Sequence, residues 1–168
     1  MEAGFQYDGG ELHCDGFRAT DLATKFGTPT YVYSGQLLRK RFLRIRDAFG
    51  RWDPLVCFSV KSLANLSVLR LLHEEGCGFD VVSGGEVFRV REAGADASQV
   101  VFAGVGKSPS EIESALRWGV RMFNVESAAE MRTINRVATE AALTARVAIR
   151  VNHDVDPHTH AKTTTGKK

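Results

Sequence analysis

The sequence is short of cysteine, of charge imbalance and of long apolar runs. Its three cysteines, Cys14, Cys57 and Cys77, are odd in number and lack Cys-x-x-Cys spacing, which argues against a disulfide framework and against a zinc site. No apolar run approaches the roughly 18 residues of a membrane span. Met1-Glu2-Ala3-Gly4 lacks the basic region and apolar core of a secretory signal, so the expected location is the cytoplasm. The net charge is only +2 over 168 residues, and acids and bases are interleaved. No basic stripe marks the chain for nucleic acid, the one local bias being Lys162, Lys167 and Lys168. What is present is 43% hydrophobic and 25% charged, the make-up of a globular chain of about one domain.

Two short β-like pieces, around residues 5–7 and 30–33, flank an expected helix capped by Thr20 and stopped by Gly27 and Pro29. A second helix is expected from Ser34, with Leu38, Phe42, Ile45 and Phe49 on one face and Gly50 as its stop. From there the chain repeats. Apolar runs begin at residues 55, 79, 100, 121 and 146, with a helical pattern between each pair. Three of those helices open on Ser-x-x-Glu, at Ser83-Glu86, Ser108-Glu111 and Ser127-Glu130, and Gly76, Gly94 and Gly119 follow last turns. Five strands with four intervening helices form a right-handed parallel βα repeat. An open doubly wound sheet and a (β/α)8 barrel both accept it, and the regular spacing favours a partial barrel of the TIM type. Five strands cannot close that barrel, so the chain is expected to be an incomplete piece with two exposed sheet edges.

Lys61 ends the first repeat strand, Pro54-Leu55-Val56-Cys57-Phe58-Ser59-Val60. At the C-terminal rim of parallel strands a lysine beside apolar walls can lose its proton and attack a carbonyl, whereas elsewhere such a lysine only snorkels. Asp80 and Arg150 interrupt apolar runs and need partners, either one another or a ligand. Ser83, Glu86, Asn124 and Glu126 follow strand ends, where capping and turn roles compete with functional ones. Val101 stands where the phosphate-binding loop Gly-x-x-x-x-Gly-Lys-Ser needs its first glycine, so Gly106-Lys107-Ser108 is not read as a nucleotide site. His153, Asp154, Asp156, His158 and His160 crowd a polar stretch without ligand periodicity, and no metal site is expected there.

Taken in order, Val60-Lys61, Gly78 through Glu86, Phe102 through Lys107, Phe123 through Ser127, Arg150-Val151-Asn152, His158-Thr159-His160 and Thr165-Gly166 resemble the pyridoxal-phosphate-dependent decarboxylases of alanine-racemase-like barrel fold. Among these they are most similar to the diaminopimelate decarboxylases. The resemblance implies pyridoxal 5'-phosphate as cofactor, with Lys61 forming its Schiff base and Asp80, Ser83, Glu86 and Arg150 around it. It implies decarboxylation of meso-2,6-diaminopimelate to L-lysine in lysine biosynthesis, with ornithine, arginine and carboxynorspermidine decarboxylases, or a cofactor-binding protein without turnover, as the alternatives. It further implies a small amino-acid substrate and a homodimer at full length. Residues 1–33 then contribute to a β domain, and residues 34–168 are the first part of the barrel. The ring-stacking histidine, the phosphate loop and most of the β domain fall after Lys168 in the family pattern, so this stretch alone is expected to be inactive. Ser62 replaces the usual Ala, His153 the usual Pro, and Ala161-Lys162 a frequent Pro-Tyr.

Overall fold

A computed structural model describes residues 4–151. They begin with an antiparallel meander of β1 (Phe5–Asp8), β2 (Glu11–Cys14) and β3 (Phe17–Arg18). Both connections are two-residue turns with left-handed backbone throughout: Gly9 and Gly10 at φ 57° and 85°, Asp15 and Gly16 at φ 50° and 90°. Such turns match the twist of the strands they join and favour Asp-Gly and Gly-Gly pairs. Strand β1 matches the β-like piece expected at residues 5–7, whereas β2 and β3 are short, polar pieces with little alternation to mark them in the sequence. Residues 30–33, expected as a strand, form none. Their β-favouring side chains have no ladder to join among the described residues, and propensity alone does not make a strand.

Helix α1 (Ala19–Phe26) corrects a second expectation: Arg18 occupies the N-cap position without a side-chain cap, and Thr20 lies inside the first turn. Arg18 instead grips Asp21 through two 2.9 Å hydrogen bonds. Helix α2 (Gly35–Ala48) starts as expected, the Ser34 hydroxyl accepting from the Leu37 amide at 2.9 Å. Phe42 is its buried residue, while Ile45 and Phe49 are only about half covered, at 52% and 48% exposure. Asp15 joins the two parts of the chain. Its carboxylate accepts from the Gly4 amide, the Ser34 hydroxyl at 2.6 Å and the Gln36 amide. Burial opposes its charge, but these donors outweigh burial and hold its pKa below the ordinary value.

The repeat folds into five parallel strands, β4 (Cys57–Ser59), β5 (Gly78–Val81), β6 (Val100–Phe102), β7 (Met122–Val125) and β8 (Val147–Ile149), ordered β4-β5-β6-β7-β8. Helices α3 (Leu66–Glu74), α4 (Gly84–Glu92), α5 (Pro109–Trp118) and α6 (Ala128–Glu140) connect them. Each strand pairs with the next in sequence. A doubly wound sheet reverses its strand order at a switch point, and a barrel does not, so the topology is that of consecutive barrel units.

Side chains alternate along the strands with period two. Phe79, Val81, Val100, Phe102, Phe123 and Val125 belong to the buried core together with Leu69, Ile112 and Ile134 of the helices. The Phe102 and Phe123 rings stack with centroids 5.8 Å apart. The intervening residues Asp80, Val101, Met122 and Asn124 face the other way and line a cavity. Gly78 fits this inner surface only without a side chain: a methyl there would stand 2.6 Å from the Gln99 carbonyl oxygen and 2.9 Å from Cys57 Sγ. Strands β4 and β8 are the two edges of the sheet, and Val147, Ile149 and Val151 are exposed at the β8 end. No described helix is long and apolar enough to cross a membrane.

Candidate active site

The inner face of the sheet and its C-terminal rim enclose an open cavity of about 550 Å³. Val82, Val101, Ala103 and Met122 supply its apolar surface, and Lys61, Asp80, Asn124, Glu126 and Arg150 its polar groups. Counting back from Lys61 by twos gives Ser59 and Cys57, and that period carries the same face down β4. Cys57 was not singled out from the sequence, although this count was available.

Lys61 sits in a single 3-10 turn, Val60–Ser62, that follows β4 directly. Val60 is fully buried and anchors the turn. The Ser62 hydroxyl donates to the Ser59 carbonyl at 2.7 Å, so the serine at this position tightens the turn. The Lys61 side chain is exposed. This departs from the expectation of a desolvated lysine: β4 is an edge strand, and its own residues are only partly buried among the described residues.

Asp80 is half buried on β5, opposite Ser59 in the register, and accepts a 3.3 Å hydrogen bond from the Ser59 hydroxyl. Arg150, directly after β8, pairs with Glu126 at 2.9 Å. Asp80 and Arg150 therefore do not pair with one another: β6 and β7 lie between β5 and β8, and Arg150 takes Glu126 as its partner. The Cys57 thiol is pushed to higher pKa, first by burial and then by the negative charge of Asp80.

The three Ser-x-x-Glu segments all cap their helices. Ser83, Ser108 and Ser127 accept from the amides of Glu86, Glu111 and Glu130 at 3.3, 3.3 and 3.1 Å. Only Ser108 and Glu111 complete the reciprocal box, the Glu111 carboxylate accepting from the Ser108 amide at 2.9 Å. Glu86 and Glu130 reach one residue further back, to the amides of Val82 and Glu126 at 2.9 and 2.7 Å. Ser83 and Glu86 thus spend their side chains on backbone beside the cavity.

The other Glu111 oxygen crosses to the preceding unit and accepts from the Gly84 amide at 2.6 Å. These amide and hydroxyl donors hold the Glu111 pKa below its ordinary value. A methyl on Gly84 would stand 2.9 Å from Glu111 Cγ, so this link requires glycine. Lys107 makes the matching link to the following unit: its side chain is fully buried and its Nζ donates to the carbonyls of Gly104 and Asn124 and to Glu130 Oε1, at 2.6, 2.9 and 2.6 Å. All three of its N–H groups are used, so the ammonium has no donor left over for a ligand. No cluster of metal-ligating side chains occurs among the described residues. The histidine-rich stretch 153–160, with Asn152, Thr165 and Gly166, lies outside them.

An exposed primary amine in a cavity with apolar side chains, two carboxylates, an amide and a guanidinium is equipped to capture a carbonyl compound that also carries charged groups. Comparison with known proteins agrees in kind. The model of the pyridoxal-dependent decarboxylase pyridoxal-binding domain matches residues 35–168. Diaminopimelate decarboxylase of Haemophilus influenzae is 47% identical over 164 residues, 98% of this chain and 40% of that protein. The chain therefore spans about two fifths of that relative's length. The crystal structure of diaminopimelate decarboxylase from M. jannaschii in complex with L-lysine superposes with a TM-score of 0.87 at 39% identity, over 95% of this chain and 38% of that one. A lysine/ornithine decarboxylase from Vibrio vulnificus in complex with cadaverine, 22% identical, shares the fold at a TM-score of 0.70 over 79% of this chain and 35% of that one. With more than half its length matched by the family model, the chain belongs to the pyridoxal-dependent decarboxylases, and residues 35–168 correspond to their pyridoxal-binding domain.

Proposed function

We propose that the full protein bearing this chain decarboxylates meso-2,6-diaminopimelate to L-lysine with pyridoxal 5'-phosphate, Lys61 being the residue that holds the cofactor. The observation that carries the substrate is the gap in identity: close to half of the residues are shared with diaminopimelate decarboxylase, against about a fifth with the lysine/ornithine enzyme.

The residues fit the cofactor at its carbonyl and ring. Lys61 brings an amine to the cavity, and Val82, Val101, Ala103 and Met122 line the same cavity with apolar surface. Lys107, the one lysine near a glycine-rich turn, has no N–H left for the phosphate, which is in keeping with a phosphate site elsewhere in the protein. When bound, the cofactor supplies the electron sink that lets carbon dioxide leave. Asp80 places a carboxyl group in the same cavity as the Lys61 amine, and Arg150, aimed by Glu126, brings a guanidinium to the rim. Ser83 and Glu86 act at one remove, shaping the start of α4 beside the pocket. Lys61 is exposed here, so the walls that enclose it against the cofactor come from the rest of the protein. The stretch is accordingly inactive by itself.

Residues 1–33 belong on this reading to a second, β-rich domain, and residues 34–168 to the barrel. The protein works in the cytoplasm as a homodimer, without nucleic acid. Borohydride reduction of the full-length protein with pyridoxal phosphate, followed by peptide mapping, is expected to label Lys61, and Lys61→Ala to abolish carbon dioxide release. Carbon dioxide release from meso-diaminopimelate is expected to exceed that from ornithine or lysine by several powers of ten, because polar groups built for the second carboxylate would be left unpaired. An equal kcat/KM for ornithine would overturn the substrate, and label on another lysine would overturn the site.

A further inference from the structure

Lys107 is the only buried charged residue among the described residues. Its ammonium has three acceptors for three N–H groups, drawn from its own turn, from β7 and from α6. The β7 acceptor, the Asn124 carbonyl, lies one residue past the last β6–β7 register pair, Phe102 with Phe123. There the ladder has ended and the ammonium takes over as donor. Replacing a buried ion pair by well-packed apolar side chains is often neutral or stabilising, so stability alone is a weak reason for a lysine here.

The connections lead toward the cavity. Glu130 holds Lys107 with one oxygen and the Glu126 amide with the other, at 2.6 and 2.7 Å. The Glu126 carboxylate in turn receives Arg150 at 2.9 Å. Asn124, Glu126 and Arg150 all line the cavity, and Lys107 does not. We infer that Lys107 is a positioning residue: through Glu130 and the Glu126 backbone it sets the direction in which Glu126 presents Arg150 to the pocket. The inference rests on the reading of that cavity as the cofactor site. A compact ammonium suits acceptors converging from three segments, whereas the planar fork of arginine suits a single carboxylate.

The test is a double-mutant cycle in the full-length protein, with Lys107→Met, Arg150→Met and the pair. It is read as the dissociation constant for pyridoxal phosphate, titrated into dialysed protein by absorbance, and as kcat/KM, with a thermal melt of each variant to measure the folded fraction. Displacing a positioned group by about 1 Å costs about 10²-fold in rate, and a loss of that order is expected in kcat/KM for Lys107→Met. The double variant is expected to lose little beyond Arg150→Met alone, since both act through one group. Losses that multiply would overturn the inference and reduce Lys107 to a structural tie. Should Lys107→Met fail to fold, Glu130→Gln takes its place in the cycle with the same two outcomes. Unchanged affinity and kcat/KM in Arg150→Met alone would instead remove the cofactor reading of the cavity, and this inference with it.

Discussion

The meander of residues 5–18 and the parallel sheet of β4 to β8 are both β structure, yet they are held in different ways. In the parallel sheet, Phe79, Phe102 and Phe123 are at most 1% exposed beneath a layer of helices. Among the described residues up to Tyr33, Cys14 is the only buried hydrophobic residue, while Phe5, Tyr7, Phe17, Phe26, Tyr31 and Tyr33 are all exposed. The meander keeps its shape by turn geometry and its place by a carboxylate, Asp15, and the sheet keeps both by apolar burial. The difference teaches that local backbone signals can build a unit with little core of its own, and that such a unit is then fastened by few contacts.

The largest expected effect breaks this contrast on the sheet side. Phe102→Ala removes a ring at the centre of the core and is expected to cost about 3–5 kcal/mol, while Phe17→Ala on the meander costs less than about 0.5 kcal/mol. Denaturant melts of the two variants give the comparison directly. Next, Gly78→Ala drives a methyl into the Gln99 carbonyl and Cys57, with an expected loss of about 1–3 kcal/mol from overpacking and a displaced cavity floor, read as weaker cofactor binding.

Asp15→Ala probes the fastening. It removes the acceptor for Gly4, Ser34 and Gln36 and also places a residue without an Asx side chain at φ 50°. Hydrogen exchange and limited proteolysis are expected to speed up over residues 4–33 and to stay slow over β5 and β6. Equal loosening of both regions would show that the meander is not a separate unit of stability.

A milder version comes from acid. Asp15 and Glu111 have folded pKa values below their unfolded ones, so the native state binds fewer protons near pH 4 and their contribution is present above the unfolded pKa. It is lost as pH falls through the folded pKa. Titration from pH 6 to pH 3 is expected to release the meander, which depends on Asp15, before the sheet. The smallest effect is chemical. Burial pushes the Cys77 thiol up to about 11, so at pH 7 its thiolate fraction is small and alkylation by iodoacetamide is slow until the sheet opens.

The βα repeat was legible in the sequence because its signals are local. Strands begin at residues 57, 78, 100, 122 and 147, against apolar runs read from 55, 79, 100, 121 and 146. The serine caps and the glycines at positive φ after α3, α4 and α5 follow from backbone groups within a few residues. Asp8-Gly9-Gly10 and Asp15-Gly16 are an equally local hairpin signal, and they mark the two turns that β2 and β3 need. The cap for α1 was misplaced because Thr20 has the right chemistry in the wrong register.

Residue type and spacing alone determined that Lys61 follows the first repeat strand and that Asp80 and Arg150 interrupt apolar runs, whereas the burial expected of that strand is only partial because β4 is an edge of the sheet. Only the tertiary structure decided their partners. Arg150 finds Glu126 from 24 residues away, Glu111 reaches the Gly84 amide across 27, and Lys107 takes acceptors 17 and 23 residues on. A side-chain cap is satisfied within one helical turn and can be read from adjacent letters. A buried ammonium is satisfied by whatever the fold brings within 3 Å, and that depends on strand order and register, which single residues do not encode.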